Sequence, residues 1–459
     1  MYKIDFSHPC FLHFVGIGGV SMSGLAELLS SAGFRITGSD RARTPITDML
    51  ESRGIRVFYG QKAENIEASV DCVVFTAAIR PDNPEYIAAQ ERQLPCLTRG
   101  QLMGQIMKNY SVSVGISGTH GKTTTTSMVG EILLAAGVDP TLSVGGGLKD
   151  IGGCMHIGKS EYFVVESCEY TNSFLDFPPK IGIILNIDAD HLDFFRDLAH
   201  IRDSFRRYAL MLPRDGCLII NGDIENTEEI TAGLPCSVIT FGSSPTSDYS
   251  PDHIVYDNMG RPSFTVHAKN RPDRRFSLQV PGEHNVYNAL AAIALADLLS
   301  MEDEVTAGAL LAYGGTDRRF EYKGTVGGVT VVDDYAHHPT EITATLKSAA
   351  NCPHKTLWCV FQPHTYSRTK AFLKEFAQAL SLADKVVLTD IYAARETDNL
   401  GISAECLQKE ILALGQECHY FSTFDEVENF LLENCINGDL LITMGAGDVF
   451  KIGESLLGE

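Results

Sequence analysis

The chain has 459 residues, of which 44% are hydrophobic and 21% charged, and its formal net charge is −21. This length and composition predict two to four globular domains and exclude wholesale disorder. The acidic excess argues against a broad nucleic-acid-binding surface, because phosphate backbones attract faces rich in lysine and arginine.

The sequence also predicts a cellular location. No apolar stretch is long enough for a transmembrane helix, so we expect no membrane insertion. The first residues lead from a short apolar run into a glycine loop, without the cleavage region of a secretory signal. The 12 cysteines are scattered without a CxxC pair, which indicates reduced thiols and residence in the cytoplasm.

The first predicted segment runs from about residue 10 to about residue 105. Its order of strand, turn, helix and strand is typical of a parallel sheet with crossover helices. The predicted elements are a strand over 13–17, a helix over 22–31, and strands over 35–40 and 72–76.

A glycine loop joins the first strand to the first helix. Gly16, Gly18, Gly19 and Ser21 are spaced as in a dinucleotide-binding fingerprint, with Ser21 in the place of the third glycine. The pair Ser39-Asp40 follows, and Asp40 stands where a ribose-binding acid is expected. The loop predicts a diphosphate on a helix N-terminus. It leaves UDP, NAD and FAD open, and a tight turn without a ligand is the alternative.

The second predicted segment opens a further α/β unit. Its region from 236 to 280 is rich in turn residues and predicts an antiparallel edge or a small subsheet. The predicted elements are strands over 111–116, 162–165 and 181–185, and helices over 123–136 and 287–299.

A second glycine loop lies in this segment and resembles a phosphate-binding loop. Its backbone amides and the following helix N-terminus would face phosphate oxygens, Lys122 would add a charge, and the Thr123 hydroxyl would reach Mg²⁺. The spacing departs from the strict motif by one residue, so a chance turn is the alternative. The predicted ATP-binding residues of the loop are Gly118, Thr119, His120, Gly121, Lys122, Thr123 and Thr124.

Two polar residues follow strands of the same segment. Glu166 comes after the strand over 162–165, and His191 comes shortly after the strand over 181–185. Ligands bind outside the carboxyl ends of parallel strands. We therefore expect Thr123, Glu166 and His191 to hold divalent metal, although a lone histidine near a strand end is more often structural.

The third predicted segment starts near residue 320 and again alternates strands with helices. Its elements are strands over 329–332, 356–361, 385–389 and 440–443, and a helical stretch over 369–382. The predicted domains are therefore residues 1–106, 107–319 and 320–459.

Taken together, the motifs resemble the Mur ligase family over nearly the whole chain and in the right order. The stretches that carry the resemblance are HFVGIGG at 13–19, GTHGKTTT at 118–125, NIDADHLD at 186–193, HNVYNAL at 284–290, RRF at 318–320, DDYAHHPTE at 333–341, and FQPH with YSRT at 361–369.

The resemblance implies an α/β fold of three domains: an N-terminal Rossmann-like domain, a central P-loop-type ATPase with a mainly parallel sheet, and a C-terminal Rossmann-like domain. In this scheme the first binds a UDP-sugar, the second ATP, and the third the incoming amino acid. The UDP-sugar residues would be Gly16, Gly18, Gly19, Ser21, Ser39 and Asp40.

The resemblance also assigns roles in the central cleft. Asn285 and Asn288 would lie against adenine, and Arg319 near the phosphates. Asp334, His337 and Arg368 would meet the amino acid or the substrate. The expected catalytic residues are Lys122, Arg319, His337 and His338. One of these two histidines is the candidate general base, and a packing pair is the alternative.

The implied reaction uses ATP and Mg²⁺ to join L-alanine to UDP-N-acetylmuramic acid through an acyl phosphate, in peptidoglycan precursor synthesis. The expected state is a monomer or homodimer. The alternatives are another ligase of the family, above all one that recycles a murein tripeptide, an NAD-dependent oxidoreductase, and a non-catalytic nucleotide sensor. Ser21, Thr365 and the stretch 167–172 depart from the common pattern, which leaves individual substrate contacts open.

Overall fold

A computed structural model describes residues 2–76, 79–148 and 151–458. Three separate β-sheets follow one another along the chain and contain strands from 11 to 98, from 112 to 277 and from 321 to 444. The predicted α/β architecture is confirmed. The predicted boundaries near 106 and 319 fall between these sheets and stay predictions.

The N-terminal sheet is fully parallel, with the strand order β3-β2-β1-β4-β5. Its central strand is buried at every residue, as expected for a strand covered by helices on both faces. The elements are β1 (Phe11–Val15), α1 (Val20–Ser31), β2 (Arg35–Asp40), α2 (Pro45–Ser52), β3 (Arg56–Tyr59), β4 (Cys72–Phe75), α3 (Pro84–Glu91), β5 (Cys96–Thr98) and α4 (Arg99–Met107).

The first half of the central domain carries the second glycine loop between its first strand and first helix. A 3₁₀ segment over Tyr170–Asp176 lies between the strands Tyr162–Glu166 and Ile181–Ile184. The elements are β6 (Val112–Ser117), α5 (Lys122–Ala135), β7 (Thr141–Leu148), β8 (Gly153–His156), β9 (Tyr162–Glu166), β10 (Ile181–Ile184) and α6 (Leu198–Leu210).

The second half of the central domain adds the antiparallel strands that the turn-rich region predicts. The elements are β11 (Cys217–Asn221), α7 (Thr227–Thr231), β12 (Ser237–Phe241), β13 (Tyr249–Tyr256), β14 (Pro262–Ala268), β15 (Arg274–Ser277), α8 (Glu283–Leu298) and α9 (Asp303–Ala312). The sheet order is β15-β14-β13-β12-β11-β10-β6-β9-β7-β8. Within the described residues, the antiparallel pairs of this sheet are β13 with β14, β14 with β15, and β7 with β8.

The C-terminal sheet has the order β16-β17-β21-β18-β19-β20, with only β16 antiparallel. The elements are β16 (Glu321–Val326), β17 (Val329–Asp334), α10 (Pro339–Ala350), β18 (Leu357–Phe361), α11 (Tyr366–Ala371), α12 (Leu373–Leu380), β19 (Lys385–Leu388), α13 (Ala404–Ala413), β20 (Cys418–Tyr420), α14 (Phe424–Asn434), β21 (Leu440–Met444) and α15 (Phe450–Leu457).

One predicted element is wrong in detail. The helical stretch over 369–382 is two helices, α11 and α12, which meet at Phe372 with φ −116° and ψ 29°. The ring of Phe372 packs against His338 at 5.0 Å between centroids. This contact comes from a distant part of the chain, so composition alone gives no sign of the break.

All twelve cysteines are free thiols. Among the described residues, no helix has the length and apolar character needed to cross a membrane.

Replacement of Phe361 by alanine is expected to lower the free energy of unfolding of the C-terminal domain by about 3–5 kcal/mol, because a fully buried aromatic ring leaves a cavity. The only tryptophan, Trp358, is buried on the same strand, so its fluorescence during urea unfolding reports on this sheet. Leu432→Ala is the control, since this side chain is 66% exposed. Equal urea midpoints for both variants would contradict the prediction.

Candidate active site

The second glycine loop forms a backbone cradle at the carboxyl edge of the central sheet. Gly118 and Gly121 have φ values of +145° and +81°, in the region that favours glycine. A Cβ added at Gly121 would lie 2.5 Å from Oδ1 of Asn288, so no larger residue fits. Helix α5 begins at Lys122 with no side-chain cap. The loop therefore presents the positive end of a helix to whatever lies above it.

Lys122 is the buried cation of the loop. Its Nζ donates to the carbonyl oxygens of Gly118 and Thr119 and lies 2.9 Å from Oε2 of Glu169. Burial by itself lowers the pKa of Lys122, but the carboxylates of Glu169 and Glu166 raise it above its ordinary value. The ammonium therefore stays charged, with a carboxylate as its partner.

The structure brings Thr123, Glu166 and Arg319 together. Thr123 Oγ1 donates to Glu166 Oε2 at 2.8 Å, and the backbone amide of Gly145 donates to the same oxygen at 2.9 Å. Nη2 of Arg319 lies 3.4 Å from Thr123 Oγ1, although Arg319 comes from the segment just before β16. The arrangement places a hydroxyl, a carboxylate and a guanidinium beside the first turn of α5.

His191 joins this group through Glu169 rather than through a contact with Thr123. Its Nε2 lies 3.6 Å from Oε1 of Glu169, and its ring stacks on Tyr170 at 4.5 Å. Glu169 is 1% exposed, and its Oε1 accepts no hydrogen bond in the described part of the chain. This buried carboxylate oxygen therefore has lone pairs that a cation could accept.

A cavity of about 670 Å³ opens beside the loop. Asn285 and Asn288 lie on its wall in α8, where Nδ2 of Asn288 donates to Oδ1 of Asn285 at 3.0 Å. Thr124 lines the cavity at the start of α5, Arg319 lines it from the segment before β16, and Asp334 lines it from the C-terminal sheet. Two domains therefore share one cavity.

Asp334 is nearly buried and accepts hydrogen bonds from the amides of Phe320 and Ala336, both at 2.7 Å. Burial raises its pKa to about 6, although the charge of Arg319 opposes the shift. Its oxygens are thus committed to backbone amides at the start of the C-terminal sheet.

His120 of the loop lies at the boundary with the C-terminal domain. Its backbone amide donates to Oδ1 of Asn186 at 2.8 Å, and its ring lies between Asp188 and Glu341. Burial opposes the charge, but these two carboxylates raise the pKa of His120 to about 9.

The adjacent histidines before α10 differ in their free nitrogens. His338 Nδ1 accepts from the amide of Thr340, and its Nε2 lies 3.0 Å from the carbonyl oxygen of Ala189. His337 Nδ1 lies 3.0 Å from the carbonyl oxygen of Tyr335, and within the described residues its Nε2 has no hydrogen-bond partner. Burial lowers the pKa of His337 to about 4, so its ring is neutral. The geometry therefore favours His337 over His338 as a proton acceptor.

Arg368 lies at a second, smaller cavity of about 150 Å³, together with His191 and Thr365. Its guanidinium makes two 3.0 Å contacts with Oδ1 of Asp190, and it also contacts His364. Burial opposes the charge of Asp190, but Arg368 lowers its pKa below the ordinary value. Arg368, which is predicted to contact the substrate, is thus held by a carboxylate of the central domain.

The first glycine loop has a different arrangement from the one the motif suggests. Asp40 Oδ2 accepts from the amide of Gly18 at 2.8 Å, and the Gly16 amide donates to the Ser39 carbonyl at 2.8 Å. The Ser39 side chain is fully buried and donates to Glu85 instead of facing the loop. Its predicted role as a UDP-sugar contact is therefore not supported through its hydroxyl.

The remaining loop residues, Gly19 and Ser21, lie at the start of α1. The Gly19 amide faces the Gly16 carbonyl at 3.4 Å, and Nη1 of Arg99 donates to Ser21 Oγ at 3.0 Å. Ser21 thus brings a cation to the helix N-terminus, where a third glycine would bring none.

Sequence reasoning missed several residues that complete these sites. Each of them contacts a predicted site residue only because the fold brings the two together. They are Arg99, Glu169, Asp188, Asp190 and Glu341. Asp188, Asp190 and Glu341 stood inside stretches quoted for the family resemblance, but no role was given to them.

Comparison with known proteins follows the same division of the chain. Residues 11–111 match the Mur ligase family catalytic domain, residues 116–296 the Mur ligase middle domain, and residues 318–447 the Mur ligase glutamate ligase domain. These ranges correspond to the three sheets.

Similar proteins cover the whole chain. The UDP-N-acetylmuramate–L-alanine ligase of Agathobacter rectalis is 57% identical over 457 residues, which span 100% of each chain. The solved structure of a UDP-N-acetylmuramate–alanine ligase from Thermotoga maritima has a TM-score of 0.80 at 29% identity, over 98% of each chain. A murein peptide ligase from Psychrobacter arcticus has a TM-score of 0.70 at 26% identity, again over 98% of each chain.

The histidines of the cleft are expected to titrate far from their ordinary pKa of 6.5. His337 and His284, whose pKa burial lowers to about 4, should stay neutral until that pH. The stability they contribute is present above pH 6.5 and lost as the pH falls through about 4. His120 has the opposite sign, because its raised pKa gives stability below pH 6.5 that is lost as the pH rises through about 9.

Nuclear magnetic resonance of histidine-labelled protein measures these titrations directly, with each signal assigned by a His→Asn variant. A short histidine peptide in the same buffer is the reference for an unburied ring. A transition of His120 or His337 close to that of the reference would contradict the prediction.

Proposed function

The chain belongs to the Mur ligase family, and we propose that it joins L-alanine to UDP-N-acetylmuramic acid with the conversion of ATP to ADP and phosphate. The full-length likeness to the alanine ligase of Agathobacter rectalis supports this substrate pair. The observation that carries the chemistry is the largely buried cluster of Lys122, Thr123 and Glu166, which lies beside a cavity that two domains line.

The reaction needs activation because a carboxylate does not react with an amine at neutral pH. The lactyl carboxylate attacks the γ-phosphorus of ATP, the bond to the β-phosphate oxygen breaks, and an acyl phosphate and ADP form. The neutral amine of alanine then attacks the acyl carbon, phosphate leaves, and one proton leaves the nitrogen. The product is the amide, and the atoms balance with ADP and phosphate.

The loop residues suit the phosphates of ATP. The uncapped N-terminus of α5 offers backbone amides, Lys122 is charged, and Arg319 adds a second cation. Positive groups fixed in advance stabilise the charge on a transferring phosphoryl group without reorganising. Asn285 and Asn288, on the α8 wall of the cavity, would meet the base of the nucleotide.

The residues present also suit a divalent metal ion. Thr123 and Glu166 offer hard oxygen ligands in contact with each other, and the unpartnered Oε1 of Glu169 faces His191. We propose Mg²⁺ held by Thr123, Glu166 and His191, with Glu169 as a further ligand. When bound, the ion would neutralise charge on phosphate oxygens.

The C-terminal side supplies the candidate base and the second cation. His337 is neutral, and its Nε2 is open to take the proton that the amine loses. Arg368, beside Thr365 at the smaller cavity, would meet the carboxylate of the amino acid or the muramic acid. Asp334 lines the larger cavity, where its carboxylate would meet the amino group rather than a carboxylate. His338 serves the backbone of α10 and would position its neighbour.

The UDP moiety would be bound by the first glycine loop. The amides of Gly18 and Gly19 and the guanidinium of Arg99 surround the N-terminus of α1. Asp40, which now accepts from Gly18, would exchange this bond for a ribose hydroxyl when the sugar nucleotide binds. Ser21 would hold Arg99 in place.

An ADP-release assay tests the function and its closest alternative. Release is expected only when UDP-N-acetylmuramic acid, ATP, Mg²⁺ and L-alanine are all present, and chelation of the metal should abolish it. The tripeptide L-alanyl-γ-D-glutamyl-meso-diaminopimelate is the comparison substrate, because a recycling ligase would prefer it. Faster release with the tripeptide than with L-alanine would replace the proposed function.

Lys122→Ala should lower kcat by about 10²–10³-fold, because it removes a preformed charge at the transferring phosphoryl group. Lys180→Ala is the matched control, since this lysine pairs with Asp215 at the surface. Lys180→Ala should keep the wild-type unfolding midpoint, whereas Lys122→Ala should lower it, because the buried Glu169 loses its partner. The kcat values are compared under conditions in which both variants are folded. Unchanged turnover in Lys122→Ala would overturn the assigned role of the loop.

A further inference from the structure

The ring of His120 has both nitrogens occupied by carboxylates of other segments. Nδ1 lies 3.1 Å from Oε1 of Glu341 on α10, and Nε2 lies 3.3 Å from Oδ2 of Asp188 after β10. Its side chain is 13% exposed. A ring held on both sides has no nitrogen left for a phosphate oxygen, so His120 differs from its neighbours in the loop.

Glu341 is shared between two histidines of different domains. One oxygen faces His120, and the other accepts from the backbone amide of His337 at 3.1 Å and lies 3.3 Å from its Nδ1. The second glycine loop, which is the proposed nucleotide loop, is thus connected through the single carboxylate of Glu341 to the candidate base His337. Asp188 strengthens the link, since it also accepts from Thr340 at 2.7 Å.

We propose that Glu341 is a positioning residue that orients His337 for the amine and is itself held in place by His120 of the nucleotide loop. The proposal rests on the proposed function, because it deepens the role given to His337. It adds a physical connection between phosphate binding and the second half-reaction.

The connection acts on the orientation of the His337 ring. A proton on Nδ1 is hydrogen-bonded by the carbonyl oxygen of Tyr335 and faces the carboxylate of Glu341. The lone pair is then on Nε2, where an acceptor is needed. The carbonyl oxygen of Tyr335 can only accept, so it keeps the proton on Nδ1 in either case. Without Glu341 the ring would lose the carboxylate that holds its orientation.

The charges around His120 support the geometry. Asp188 and Glu341 face the ring as anions, and His338 lies with its ring centroid 5.0 Å away. Burial opposes charge at Glu341, but the charges of His120 and Arg319 hold its pKa well below the ordinary value. A charged pair between loop and α10 is stronger than a neutral hydrogen bond, so it can fix their relative position.

A double-mutant cycle with His120→Asn and Glu341→Gln tests the connection. Each single variant should lower kcat by about 10- to 100-fold while the Kd of an ATP analogue changes by less than about threefold. The double variant should be no slower than the slower single variant. Glu341→Asp, which retains the carboxylate, should recover part of kcat.

The control is a histidine with the same kind of partners outside the cleft. His267 lies between Asp273 at 2.6 Å and Asp252 at 3.3 Å on the surface, and His267→Asn should leave kcat unchanged. Multiplied effects in the double variant would overturn the proposal. So would a His120→Asn variant that binds the nucleotide weakly but keeps its kcat, because the ring would then serve the nucleotide.

A second readout does not depend on ligation. In Glu341→Gln the pKa of His120 should fall from about 9 toward 6.5, as seen in its magnetic resonance titration. An unchanged titration would overturn the connection itself. Absence of ADP release by the wild-type enzyme with UDP-N-acetylmuramic acid and L-alanine would instead overturn the proposed function, and the titration would still decide the contact.

Discussion

The parallel pairing of β6 with β9 and β10 is the constraint on which the site depends. Register places Ile116 opposite Glu166 and Ser117 opposite Ile184, so all three strands end at one edge of the sheet. The glycine loop, the acidic residues after β9 and the segment to His191 must therefore meet there. The backbone hydrogen bonds of the sheet hold these segments together without the help of a ligand.

That convergence concentrates charge in a buried place, and the structure balances it in opposite pairs. Lys122 pairs with Glu169, His120 with Asp188 and Glu341, and Arg368 with Asp190. Removing one partner of a buried pair leaves an uncompensated charge, which costs more than the pair contributes. Anionic substrates must therefore take over cations that carboxylates now hold, and metal binding at Glu169 would release Lys122 for them.

The sequence predicts this site to the extent that local order determines it. The strand, glycine loop and helix over 112–135 follow from neighbouring residues, and so does the position of Glu166 at a strand end. Glu341 and Arg99 could not be predicted, because their partners lie 221 and 78 residues away. Ser39 lies in the predicted motif, but its hydroxyl donates to the buried Glu85, and no local sequence pattern predicts this contact.

The segment before β16 shows how one residue can couple two domains. Arg318 is bound to Asp333 and to the carbonyl oxygens of Gly445 and Gly447, and the amide of Phe320 donates to Asp334. Both residues have positive φ, at +61° and +48°, which fixes a sharp path for the chain. Arg319 between them is thus anchored to the C-terminal sheet while its guanidinium reaches Thr123. Any displacement of the C-terminal domain would move this guanidinium relative to Thr123, so the role proposed for Arg319 at the phosphates requires the domains to be closed.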